Sequence, residues 1–177
     1  GHTIIALWRY PRHKKQLKHE LKKMLHNKDA EVRIEAYKII GKVKAHLESN
    51  RLKDTLNSIN KDERLYAALA LANLKLNDGN DIIVDLLIHA EENERDEILH
   101  KISTLPAQMR VRIDALVRQK VSSYINDIFF DNDIVDLEEL DKVALLKLRN
   151  AYQLVNEHEE VQNIDELLLQ CNPILNG

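Results

Sequence analysis

Apolar positions recur along this chain at helical spacing, and the stripes they form recur in turn. Val32, Ala36, Ile39, Ile40 and Val43 fall at i, i+4, i+7, i+8 and i+11, a single stripe along one face of an α-helix. Asn27 or Asp29 offers a side-chain oxygen to a free backbone N–H of its first turn, and Asp29 and Glu31 suit the positive end of its dipole. The pattern returns with Asn60, Leu65, Leu69, Ala72 and Leu76, and Asn60 to Glu63 has capping-box form. It returns again with Asn93, Ile98, Ile102 and Leu105 before Pro106 ends the helix. The step from Asn27 to Asn60 to Asn93 is 33 residues both times.

Each of these helices follows another amphipathic segment: Leu17, Leu21, Met24 and Leu25; then Leu52, Leu56 and Ile59; then Ile83, Leu86, Leu87 and Ala90. The unit is therefore two helices joined by a short polar loop. Its apolar stripe is too wide for the partner helix alone, so stacking on the next pair is expected to cover the remainder. Beyond Pro106 the period fails. Met109, Ile113, Leu116, Val117, Val121, Tyr124, Ile125 and Ile128 predict one long amphipathic helix, which "FFDNDIVD" interrupts. A further helix is expected through Leu137, Leu140, Val143, Ala144, Leu148, Ala151, Tyr152 and Val155. A short last one, "NIDELLLQC", would be capped by Asn163 or Asp165. These helices suit a cap that shields the open end of a repeat array from water.

Composition fits this reading. Four Gly, three Pro and 5% aromatic residues in 177, with Leu, Lys, Glu, Ala and Ile abundant, favour an all-α chain. A chain this long buries roughly 70% of the surface it exposes when unfolded. The expected organisation is residues 1–13 as a tag remnant (Gly1-His2) with an apolar and basic segment, 14–105 as three helix pairs, and 106–177 as a helical cap of the same domain. Thr3 follows the remnant with no initiator Met, so the chain reads as a piece of a longer protein.

"LKKMLHNKDAEVRIEAYKIIGKV" resembles a HEAT repeat, through Leu21, Leu25, Asp29, Val32, Arg33, Ala36 and Gly41. In the second unit the Val-Arg place is held by Leu65-Tyr66, and in the third only spacing and apolar character remain. The resemblance covers about residues 14 to 105. It implies a right-handed α-α superhelix, an armadillo-like solenoid, and a non-enzymatic scaffold that binds another protein. It also admits alternatives from the same family, a nucleic-acid-binding or glycosylase-like domain and a metal-dependent enzyme.

Charge adds candidate surfaces. From Arg9 to Lys28 eight Lys/Arg face a single acid, Glu20, whereas from Asp131 to Glu166 eleven acids face three bases. Lys14, Lys18 and Lys22 share one helical line, extended by Lys15 and Lys23. It reads either as a solvated outer face opposite the Leu17, Leu21, Met24 and Leu25 stripe or as a face for an acidic protein surface, anionic lipid headgroups or nucleic-acid phosphates. Nucleic acid has no base-reading motif or aromatic interleaving in its favour beyond Trp8 and Tyr10, and another protein is the partner expected of the chain as a whole. The polar edges near Arg33, Tyr66 and Arg95 complete the expected partner surface. "TIIALWRYPRHKK" reads in two ways: as the cytoplasmic end of a membrane tether lying upstream of Thr3, or as an apolar segment packed on the first repeat. The setting expected is cytoplasmic. The acidic end is expected to be a solubilising surface, or else the basic end's partner in head-to-tail self-association.

No catalytic constellation is apparent, so no enzyme activity, cofactor or metal is expected. No two His lie i, i+3 or i, i+4 apart, and His19-Glu20 and His158-Glu159 sit at opposite chain ends. "DNDIVDLEELDK" has Asp136 where a calcium loop needs Gly and Lys142 where it needs Glu. Glycosylase chemistry needs aromatic residues on a basic concave face, and the one Trp precedes the repeats. Cys171, the only cysteine, forms no internal disulfide and is expected to be a packed or exposed residue rather than a nucleophile.

Overall fold

The computed structural model describes residues 2–131 and 136–170, and among them the chain forms ten α-helices, one 3-10 turn and no strand. The fold is all-α, as the spacing predicts. The chain divides into two compact units, Gly1–Ile113 and Asp114–Gly177. Charge divides with them. The first carries 21 Lys/Arg against 16 Asp/Glu, a net +5, and the second 5 against 13, a net −8.

The first unit contains α1 (His2–Leu7), α2 (Pro11–Leu25), α3 (Ala30–Val43), α4 (Ser49–Thr55), α5 (Lys61–Asn73), α6 (Asn80–His89) and α7 (Glu92–Ser103). Pro11 starts α2, where its missing N–H costs nothing. Asp29 caps α3 by accepting from the Glu31 N–H at 3.0 Å, and Asn60 caps α5 by accepting from the Glu63 N–H at 3.1 Å. Helix α2 packs on α3, α3 on α5, α4 on α5, α5 on α6 and α6 on α7. One core runs through Leu21 and Leu25 of α2, Ile34, Tyr37, Ile39 and Ile40 of α3, Leu52 of α4, and Leu71 of α5. Helix α1 packs on α2 and α3, and Ile4, Ile5 and Trp8 lie against that core. No described helix is long and apolar enough to cross a membrane.

The structural stride is not the one the stripes suggest. The N-caps of α3, α5 and α7 are Asp29, Asn60 and Glu91, a step of 31 residues each time rather than 33. Two other features keep the same step. Lys44 and Lys75, which follow α3 and α5, both adopt left-handed backbone (φ 53° and 64°). Arg33 and Arg64 each donate from Nη1 to the carbonyl six residues earlier, Asn27 and Ser58, at 2.8 Å. The stripes mislead because they match Val32 to Leu65, whereas the residues at that third helical position are Val32, Glu63 and Glu94. Both glutamates bind a cation of the preceding copy, Glu63 to Arg33 and Glu94 to Lys61. Asn93 accordingly lies inside the first turn of α7.

Two other expectations are corrected in this unit. Helix α5 is buried on nearly every side, from Ala67 through Ala72, because α3, α4 and α6 surround it. Ile59 belongs to no stripe: it sits fully exposed in the loop after α4. Close approach depends on two glycines. A Cβ on Gly79 would lie 2.6 Å from Ala68 Cα and 2.7 Å from Ala68 Cβ, contacts that the α5 backbone cannot relieve. Gly79→Ala is expected to cost about 1–3 kcal/mol in denaturant unfolding. Gly41→Ala should cost less, since its Cβ would meet the Asn73 side-chain amide at 3.1 Å.

Helix α8 (Ala107–Asp131) is the expected long helix. In the second unit, Leu137–Glu139 form the 3-10 turn, followed by α9 (Lys142–Leu154) and α10 (His158–Gln170). Ile128, Leu140, Ala144, Leu145, Leu148 and Ile164 make the core here. Helix α9 begins five residues later than its stripe suggests, because Asp141 caps it through the Ala144 N–H at 2.8 Å. Val143 is exposed. Helix α10 begins at His158, so Asn163 and Asp165 lie within it and cap nothing; Asp165 pairs with Arg149 instead. Cys171 and residues 132–135 of the interrupting segment lie outside the described residues.

Candidate interaction groove

The C-terminal halves of α3, α5 and α7 together line an open groove of about 560 Å³. Its size falls within the range of ligand sites, about 300–1,000 Å³. Lys38 and Lys42 lie one helical turn apart on α3, and Lys44 follows where the left-handed cap ends the helix. Tyr66 and Asn73 come from α5, and Lys101 from α7. Gly41, Leu69 and Ala70 form its floor, all three buried where α3 and α5 approach closely.

The charged lining of this groove is all basic. The Tyr66 ring takes two ammonium groups, Lys38 Nζ at 4.6 Å and Lys101 Nζ at 5.7 Å from its centroid. Such contacts contribute about 0.5–1 kcal/mol each at exposed sites, enough to orient a lysine but not to neutralise it. Among the described residues none of Lys38, Lys42, Lys44 and Lys101 pairs with a carboxylate, and no Asp or Glu lines the groove. Lys53 pairs with Asp78 at 3.4 Å and Lys61 with Glu94 at 3.0 Å, whereas Lys14, Lys15, Lys18 and Lys22 on α2, like the groove lysines, have no carboxylate partner among the described residues. Four lysines without an ion pair thus line one space, although Lys38 and Lys42 also border a cleft that holds Glu35. A second, smaller cleft shares Tyr66 and Lys101 with it and is lined by Asp62, Glu94 and Glu97, so the positive field ends abruptly on that side.

The residues singled out from sequence fall in three places. Lys14, Lys15, Lys18, Lys22 and Lys23 are exposed on α2 opposite buried Leu17, Leu21 and Leu25, and Lys23 pairs with Glu20 at 3.7 Å. None of them lines the groove. Tyr66 stands in the groove itself. Arg33 and Arg95 hold structural positions. Arg33 is engaged by Glu63, Asn27 and Lys28, and the side-chain hydrogen bond to Glu63 is the main cause that raises its guanidinium pKa further above its ordinary value. Arg95 is 4% exposed, and among the described residues its buried Nη1 has no hydrogen-bond partner.

Sequence reasoning missed Lys38, Lys42, Lys44, Lys101 and Asn73. The i, i+4 spacing of Lys38 and Lys42 is visible in the sequence. Lys44 lies past the helix end, however, and Lys101 joins only once α7 is placed beside α5. Among the described residues no three His, Cys, Asp or Glu side chains converge as a metal site would require. Compared with family models, curated proteins and solved structures, the chain matches none.

Proposed function

We propose that this chain is a non-enzymatic interaction module built of HEAT-like helix pairs, and that its Tyr66 groove receives an acidic segment of a partner protein. The pairs are α2 with α3, α4 with α5, and α6 with α7. Their 31-residue step, the shared arginine bond at Arg33 and Arg64, and the Arg33–Glu63 and Lys61–Glu94 links between successive copies support the array. The observation that carries the binding reading is the set of four lysines lining one groove, two of them on the Tyr66 ring, with no carboxylate in that lining. Complementary charge at such a surface accelerates encounter and selects the partner's sign. A nucleic-acid backbone fits less well, because the polyanion would have to continue past Asp62, Glu94 and Glu97.

A labelled decaglutamate peptide tests this by fluorescence anisotropy. The double variant Lys38→Glu, Lys101→Glu should bind it about ten-fold or more weakly, a change of about 1.4 kcal/mol. Lys14→Glu, Lys18→Glu on α2 should leave affinity nearly unchanged, with circular dichroism confirming that both variants are folded. Loss of binding in the α2 variant alone would move the partner surface to the basic helix and contradict the proposal.

A further inference from the structure

We infer that the group at the centre of this groove is a phosphomonoester on a side chain of the partner protein, so that the module reads phosphorylation. The inference rests on the acidic-segment reading above and specifies its chemistry. A single carboxylate offsets one of the four ammonium charges, whereas a phosphomonoester brings about −1.5 to −2 at neutral pH and three strong acceptor oxygens. Lysine ammoniums are compact point charges with three rotatable donors each, suited to surrounding a tetrahedral anion rather than clamping a planar one. Here they come from two elements: Lys38, Lys42 and Lys44 from α3 and its cap, and Lys101 from the end of α7.

Extent and surroundings narrow the ligand further. The cations occupy one space of about 560 Å³ and give way to Asp62, Glu94 and Glu97 in the neighbouring cleft. That arrangement suits one concentrated charge and disfavours a chain of phosphates. The half-buried Tyr66 ring lies in the same groove and gives a peptide's neighbouring side chain something to cover, which a free phosphate compound would leave wet. Holding Lys38 and Lys101 on one ring fixes two donors before any ligand arrives, so less freedom is lost on binding.

Three heptapeptide pools, randomised except for a central phosphoserine, glutamate or serine, provide the test by anisotropy at about 150 mM salt, where exposed charges are screened beyond about 8 Å. The phosphoserine pool should bind about ten-fold tighter than the glutamate pool. That advantage should vanish in Lys38→Gln, Lys101→Gln and persist in Lys14→Gln, Lys18→Gln. It should also shrink as pH falls through about 6, where the phosphate takes up its second proton, while the glutamate pool changes little. Equal affinity for the phosphoserine and glutamate pools would overturn the phosphate inference and leave the acidic-segment reading standing. Failure of every pool to bind would overturn both. Displacement of the phosphoserine pool by an equal concentration of inorganic phosphate would assign the site to a free anion and overturn the commitment to a phosphoprotein.

Discussion

Replacing Glu63 by alanine is expected to lower the unfolding free energy by about 3 kcal/mol, the low end of what removing one partner of a buried ion pair costs. Glu63 is a charged residue only 5% exposed. One carboxylate oxygen accepts from Arg33 Nε and the other from the Ser58 hydroxyl at 3.0 Å. Ser58 Oγ in turn accepts from the Asn60 N–H at 3.1 Å, and Asn60 caps the helix that carries Glu63. The carboxylate of this capping box therefore does not turn back on its own N-cap directly. It holds the preceding helix through Arg33, with a serine completing the local bond.

The low end applies because the Arg33 side chain keeps 22% exposure and retains the Asn27 and Lys28 carbonyls at 2.8 Å. Solvent screening discounts the loss accordingly. Denaturant unfolding of Glu63→Ala, Arg33→Met and the double variant gives the coupling between them, expected to exceed about 1 kcal/mol. By contrast, Lys61→Ala should cost no more than about 1 kcal/mol, since Lys61 and Glu94 are both about half exposed. Coupling near zero for Arg33 and Glu63 would mean that the two copies are held by apolar packing alone.

Tyr37→Ala is expected to cost about 3–5 kcal/mol, the usual penalty for truncating a buried aromatic ring. Tyr37 is 1% exposed at the centre of the core shared by α2, α3, α4 and α5, and its edge also lines the groove. The ring rather than the hydroxyl should account for the loss. Its oxygen lies 3.5 Å from Thr55 Oγ1, at the limit of a hydrogen bond, and Thr55 already donates to the Arg51 carbonyl at 2.8 Å. Tyr37→Phe should therefore cost less than about 1 kcal/mol. A Phe variant as damaged as the Ala variant, measured by the same unfolding curves, would show that the hydroxyl matters after all.

Much of the first unit was legible because its helices announce themselves locally. Asp29 and Asn60 act as the N-caps they resemble, Leu17, Leu21 and Leu25 face inward, and the long helix after Pro106 forms. The stride failed by two residues for a tertiary reason: apolar stripes cannot reveal that a buried glutamate occupies an inward position when its cation lies thirty residues away in another helix. Ile59 misled in the opposite sense, since an apolar residue in a loop is not bound to the helical phase before it. Of the groove only Tyr66 was legible. Charge runs drew the eye to α2, where the lysines share one face, whereas Lys38, Lys42, Lys44 and Lys101 become neighbours only through packing of α3, α5 and α7. The absence of carboxylates among them is a property of the folded surface and has no signature in a charge count.

Chemical-shift mapping of the isotopically labelled chain during titration with decaglutamate locates the partner surface directly. Perturbations concentrated at Lys42, Lys44, Tyr66, Asn73 and Lys101, saturating together and weakening with salt, are the predicted result. Perturbations confined to Lys14 through Lys23 on α2, with the Tyr66 groove silent, would contradict the account.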